Sequence, residues 1–271
     1  MTKARPRPGV CSIALRRYDV FRAIRMAAEA GYSGVEIWGK PPHTPNPIDR
    51  EHEEAVRQMI HDSGLTVPMF GSYVNVDGSD WKKNAKENLD ISCILGAKVM
   101  RIWAGSKEPS DADQDYWQEV ILRLREFCLM AADVGISLAV EMHGGTLAAT
   151  VEGSERLLVE VDHPALKLNL QLTDFPPEEF YRALPTLGPH VVNIHAQNRR
   201  TIVKNGEKIS ELCLIEEGEI DYRDVLRRLS PYGFGGFIEA EFLKGDQDSD
   251  EALLDSLRRD AAYLRRICAE V

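Results

Sequence analysis

Positive charge, long apolar runs, paired cysteines and glycine-rich phosphate turns are all scarce in this chain of 271 residues. Its 33 Lys and Arg stand against 43 Asp and Glu, a formal net charge of −10. Nucleic-acid surfaces need clustered positive charge, and the short basic groups at Arg5 and Arg7, Arg16 and Arg17, and Arg199 and Arg200 read as solvated faces. No nucleic-acid partner is expected. No apolar stretch approaches the roughly 18 residues of a membrane span, so no membrane partner is expected either. The opening MTKARPRPGVCSIALRR is basic, but its apolar part is too short and too broken by Arg to read as a secretory signal. Five cysteines, odd in number and far apart, show no metal-type spacing. Reduced thiols in a cytoplasm account for them.

What is abundant is alternation. Apolar strand candidates fall at 9–14, 34–38, 65–70, 98–103, 136–141, 166–171, 190–195 and 235–239, with helical patterns between and after them. Gly31, Gly64, Gly96, Gly135 and Gly233 stand where left-handed helix ends need them. The recurrence of about 25 to 45 residues is that of one βα unit. Eight such units predict a single α/β domain over 1–271, a closed (β/α)8 TIM barrel. An open doubly wound sheet is the alternative, but no Gly-x-Gly-x-x-Gly turn follows the first strand. Two insertions follow strands: the Pro-rich 39–49, and 198–219, whose Asn205-Gly206 suggests a hairpin covering the site.

Four of the strands finish on side chains able to bind a divalent metal. They are Glu141 (with His143 just beyond), Gln171, His195 and Glu239. A buried parallel strand is almost continuously apolar, so a polar group at its last residue sits at the rim of the core. Carboxylates take Mg²⁺, Mn²⁺, Co²⁺ or Zn²⁺, and an imidazole nitrogen shifts the preference toward transition metals. One such ion is the expected cofactor. Each residue alone is more often a salt-bridge partner than a ligand; the four together carry the reading. His43, His52, His61, His163 and His190 read as structural. Glu36, Trp38, Tyr73, Arg101 and Trp103 lie on or just after strands two to four, where aromatic and hydrogen-bonding groups suit a polyol, although core packing explains the tryptophans equally well.

The segments AAEAGYSGVEIWG, VMRIWAG, AVEMHGG, VVNIHAQNRR and GEIDYRDVLRRLSPYGFGGFIEAEF resemble the xylose-isomerase-like family of sugar isomerases and epimerases, over about Val10 to Phe242. The resemblance implies one metal held by Glu, Asp, His and Glu on strands five to eight, with the two Glu residues passing a proton at the carbon next to a carbonyl. Carried over, it names Glu141, His195 and Glu239, and it places Arg200 (or Arg199) against substrate. The chain departs from the pattern at Gln171, where the family has Asp, at Asp174, where it has His, and at Asn198, where an acid is common. Losing one carboxylate leaves a weaker metal site or a stronger Lewis acid. His143 adds a separate acid or base.

These observations lead first to a metal-dependent isomerase or epimerase of an uncharged monosaccharide or keto-polyol, working through an enediolate. The alternatives are a dehydratase or lyase of the inosose or 3-oxo-glycoside type, and a non-catalytic sugar-binding barrel. A DNA-repair nuclease of the same fold would need more His ligands and a basic face. A homo-oligomer is left open.

Overall fold

A computed structural model describes residues 5–173, 175–204, 206–245 and 249–271. Eight parallel strands close into a barrel in the order β1-β10-β7-β6-β5-β4-β3-β2. They are β1 (Arg7–Cys11), β2 (Gly34–Trp38), β3 (Phe70–Gly71), β4 (Val99–Ile102), β5 (Ser137–Glu141), β6 (Leu166–Gln171), β7 (Val191–Ala196) and β10 (Phe237–Ala240). The family of folds read from the alternation is the one observed.

Outside the barrel lie α1 (Val20–Ala30), α2 (Arg50–Asp62), α3 (Trp81–Leu95), α4 (Gln114–Asp133), α5 (Val151–Val161), α6 (Pro177–Arg182), α7 (Leu184–Leu187), α8 (Tyr222–Leu229) and α9 (Asp250–Ala269). Their starts are written in the sequence. Asp19, Asp113, Thr150 and Ser249 each accept a hydrogen bond from a first-turn N–H of the helix that follows, satisfying donors the helix itself leaves free. Gly31 and Gly96 end α1 and α3 at φ 87° and 77°, a conformation costly for any side chain with a Cβ. Between strands and helices the apolar packing is continuous. Phe127 on α4 is fully buried within it, and its truncation to Ala would cost about 3–5 kcal/mol.

Three elements differ from the sequence expectation. The first strand runs over 7–11 and not 9–14, because Ser12–Leu15 forms a 3-10 turn in which Ser12 Oγ accepts from Trp38 N at 2.9 Å. The third strand is reduced to Phe70–Gly71, joined by an isolated bridge from Gly34 to Thr66; Pro68 between them has no N–H to offer a ladder. The expected single helix after strand six is split into α6 and α7, with Pro185 near the start of the second.

The insertion after β7 is a two-stranded hairpin, β8 (Asn198–Lys204) and β9 (Glu207–Cys213), paired antiparallel from Asn198↔Cys213 to Lys204↔Glu207. Asn205 of its proposed turn lies outside the described residues, as does Asp174. Asn198 anchors the hairpin base: its Nδ2 donates to Ile215 O and Ile220 O, both at 2.8 Å. No helix among the described residues is long and apolar enough to cross a membrane.

Candidate metal centre

The C-terminal ends of β5, β6, β7 and β10 bring Glu141, Gln171, His195 and Glu241 together. One ligand atom each from Glu141, His195 and Glu241 lies within 4.8 Å of the others, and all three residues are buried. His195 Nδ1 stands 3.4 Å from Glu241 Oε1 and 3.8 Å from Glu141 Oε2. The Gln171 amide lies 3.0 Å from Glu241 Oε2 and 3.2 Å from Glu141 Oε1. Turned nitrogen-first it donates to both carboxylates; turned oxygen-first it adds another oxygen for a cation between them. Gln197 Nε2 also donates to Glu241 Oε2 at 3.1 Å.

His195 supplies the test of whether these residues suit a metal. Its Nε2 is 2.7 Å from Glu36 Oε2, which assigns a proton to that nitrogen. Its Nδ1 is buried with no hydrogen-bond partner and faces two carboxylates. A lone pair held there is repelled unless a proton or a cation intervenes. With only a proton to fill that place, burial opposes charging the ring, but Glu36 and Glu241 outweigh it and hold the imidazole well above its ordinary pKa. Two carboxylates, an imidazole nitrogen and an amide oxygen are a donor set suited to a divalent ion.

Glu239, expected among the ligands, is not one of the three residues of this cluster. It lies within β10, deeper than Glu241, where its Oε2 accepts from Asn193 Nδ2 at 2.6 Å. Asn193 Nδ2 also donates to Asn169 Oδ1 at 3.0 Å. A Cβ at Gly9, the partner of Glu239 across the ladder, would meet Glu239 Cγ at 2.8 Å, so glycine makes room for this carboxyl. Burial, reinforced by the nearby Glu36 charge, pushes the Glu239 pKa well above the carboxylate range.

Glu36 and Arg200, expected against substrate, are both engaged with other side chains. Glu36 is fully buried beneath His195, with Cys11 Sγ donating to its other oxygen at 3.3 Å. Burial would raise its pKa, but His195 and Arg101 draw it below the usual value. Arg200 belongs to the hairpin and pairs with Glu211 at 2.8 Å and Glu217 at 3.3 Å. Arg101 is 3% exposed; its Nη1 lies 2.9 Å from Glu141 Oε2, while Nε and Nη2 donate to Ser72 O at 3.2 and 3.1 Å. It fixes the Glu141 carboxylate instead of lying open to a ligand.

The remaining expected residues form one wall of the mouth. Trp38 Nε1 donates to Tyr73 OH at 2.7 Å, the Tyr73 and Trp103 rings are 6.2 Å apart, and Trp103 meets His143 edge-on at 5.0 Å. His143 Nδ1 is 2.7 Å from Gly144 O. A carbonyl oxygen only accepts, so in the neutral ring Nδ1 carries the proton and Nε2 the lone pair. Lys40 Nζ lies 3.7 Å from the Tyr73 ring centroid, on the rim of a cavity of about 290 Å³ between the 39–49 loop and α3. His43 holds Ser12 Oγ and Tyr18 O at 2.8 and 3.1 Å, the structural role expected of it. Glu241, Gln197 and Cys11 escaped the sequence reading. The signal for Glu241 was available, as a second acid two residues past Glu239.

The chain belongs to the xylose isomerase-like TIM barrel family, whose model matches residues 24–267. Among curated proteins it is similar to a 3-dehydroshikimate dehydratase of Bacillus anthracis, 29% identical over 169 residues. That match covers 59% of this chain and 60% of the relative, so it spans about three fifths of the relative's length. Among solved structures, the probable 3-DHS dehydratase of Bacillus anthracis involved in petrobactin synthesis superposes with a TM-score of 0.79 at 21% identity, covering 96% of this chain and 98% of that one. A D-psicose 3-epimerase from Clostridium cellulolyticum H10, solved with D-tagatose, gives 0.75 at 15% identity, with 97% and 99% covered. At these identities the structures share the fold.

Proposed function

We propose that this protein is a divalent-metal-dependent dehydratase acting on a cyclic hydroxy ketone of the 3-dehydroshikimate kind. The observation that carries this reading is the place of His143, an imidazole at the mouth two residues past Glu141, set edge-on to Trp103 with its Nδ1–H bonded to Gly144 O, where it can act as the base. The likeness to a 3-dehydroshikimate dehydratase supports the same chemistry. It replaces the sugar isomerase as the leading reading.

Glu141, Gln171, His195 and Glu241 would hold the metal, which when bound polarises a substrate carbonyl and makes the neighbouring C–H more acidic. The protein's own groups do the rest. His143 Nε2 takes the proton from the carbon next to the carbonyl, and its electron pair forms the new C=C bond. The C–O bond at the following carbon breaks, the oxygen leaving with its electron pair. The proton on His143 passes to that oxygen and water departs. Trp38, Tyr73 and Trp103 give the ring a flat apolar wall. Lys40 sits where it can meet a substrate carboxylate, so an anion is admitted despite the chain's negative charge.

The second reading is epimerisation. It is favoured by Glu141 and Glu241, whose oxygens flank one small space and could take and return a proton on opposite faces. Incubation with 3-dehydroshikimate and Mn²⁺, Mg²⁺ or Co²⁺ separates the two. Formation of a catechol acid supports the dehydratase. Absence of that product, with solvent deuterium entering ketohexoses beside the carbonyl, would establish the epimerase instead.

A further inference from the structure

We propose that Glu36 is a positioning residue of the metal centre, acting entirely through His195. The proposal rests on the reading of Glu141, Gln171, His195 and Glu241 as metal ligands. Glu36 is 0% exposed, and both of its carboxylate oxygens are taken, one by His195 and one by Cys11. Its Oε2 lies 2.7 Å from His195 Nε2, on the side of the ring away from Glu141 and Glu241. A carboxylate oxygen accepts and does not donate, so it selects the ring form protonated at Nε2 and turns the Nδ1 lone pair to the ligand cluster.

The carboxylate is itself held in place. Cys11, its partner across the β1–β2 ladder, donates Sγ–H to Oε1 at 3.3 Å. Gly71 on β3 faces the same oxygen, and any side chain there would collide with it. A glycine at that point makes room for a group the fold places deliberately close. The result is a carboxylate–imidazole–metal line in which the outer group fixes ring orientation and increases the ligand's basicity. Partners of this kind commonly change metal affinity by about 10–100-fold.

A further metal-type group among the described residues, Cys11, Glu36 and His195, is explained by the same arrangement. His195 Nε2 is already given to Glu36, so these three residues act as support beneath the centre.

Titration of metal-free protein with Mn²⁺ alone tests the assignment. Glu36→Gln keeps shape and an acceptor oxygen but removes the charge, and is expected to weaken Mn²⁺ binding 10–100-fold with the far-UV spectrum unchanged. In a His195→Ala background the same substitution should have no further effect, because its route to the metal is gone. An equal loss in both backgrounds would mean that Glu36 serves the fold only, and the proposal would be wrong. Zn²⁺-loaded protein gives an independent readout. The wild type should show a ¹H–¹⁵N correlation for the His195 Nε2–H, shifted or lost in Glu36→Gln. An unchanged signal with unchanged affinity overturns the proposal while leaving the metal reading standing. A wild-type protein that takes up no metal overturns both.

Discussion

Glu239 lies within β10 and Glu241 one residue past its end, and only Glu241 joins Glu141 and His195 at the barrel mouth. Glu241 Oε1 lies 3.4 Å from His195 Nδ1, whereas Glu239 Oε2 is taken by Asn193 at 2.6 Å, deeper in the barrel. Glu241→Gln should therefore strip the metal and abolish turnover. Glu239→Gln keeps the shape of a side chain that lies outside the Glu141, His195 and Glu241 cluster, so it should keep its metal. Elemental analysis of the two purified variants decides it, and metal loss in Glu239→Gln alone would return the ligand role to Glu239.

The barrel was legible, and so were Glu141, Gln171 and His195 of the candidate site, because strand ends are where apolar runs stop. The depth of each group was not. Cα partners across the ladder are Glu141↔Asn169, Gln171↔His195 and His195↔Glu239. The ligand row instead climbs two residues from β5 to β6 and two more from β7 to β10. Strands in a closed barrel tilt against its axis, so groups at one height are staggered in register. A flat reading stops at Glu239; the tilted barrel continues to Glu241. The partner of Glu36 was hidden for a related reason. Glu36 ends no apolar run, and its role depends on His195, 159 residues later.

Gln171→Asp should bind metal more tightly. A carboxylate at that point adds negative charge to the ligand shell, and the position is already 3.0 and 3.2 Å from the two glutamate side chains. The closer packing of like charges will lower stability of the metal-free protein, while turnover need not follow affinity. Chelator competition measures the change; equal or weaker affinity in a folded variant would place Gln171 outside the coordination shell.

Metal affinity should rise with pH. Without metal, Glu36 and Glu241 hold His195 protonated to well above the ordinary imidazole range, against the effect of burial. A metal on Nδ1 must displace that proton, so binding releases it and is opposed as pH falls. Calorimetry in two buffers of different ionisation enthalpy will show proton release at neutral pH. A pH-independent affinity with no release would mean that Nδ1 is not a ligand.

Glu53 on α2 is fully buried and neither of its oxygens has a hydrogen-bond partner. Burial, assisted by Asp49, pushes its pKa up to about 7. The folded state thus holds a proton that the unfolded chain gives up first. Stability from this group is fully present below the unfolded carboxylate pKa, and it is lost as pH rises through the folded value. In chelator, Glu53→Gln should gain on the wild type across that window by roughly 2–3 kcal/mol. Denaturant melts at pH 5 and pH 8 give the difference, and parallel behaviour of the two proteins would show that Glu53 ionises freely.

Substitution of His143 should separate metal binding from chemistry. His143 stands two residues beyond Glu141, its ring set edge-on against Trp103 at 5.0 Å and its Nδ1–H bonded to Gly144 O. None of the close contacts among Glu141, Gln171, His195 and Glu241 passes through it. His143→Gln should keep the wild-type metal content and melt within a few degrees of it, since a half-buried polar substitution typically costs about 1 kcal/mol. Turnover should fall by about 10²–10⁴-fold, the usual contribution of a general acid–base group, with the loss in kcat. If His143→Gln keeps full activity while Glu141→Gln and Glu241→Gln lose it, the proton is moved by the two carboxylates, and epimerisation becomes the better account of this barrel.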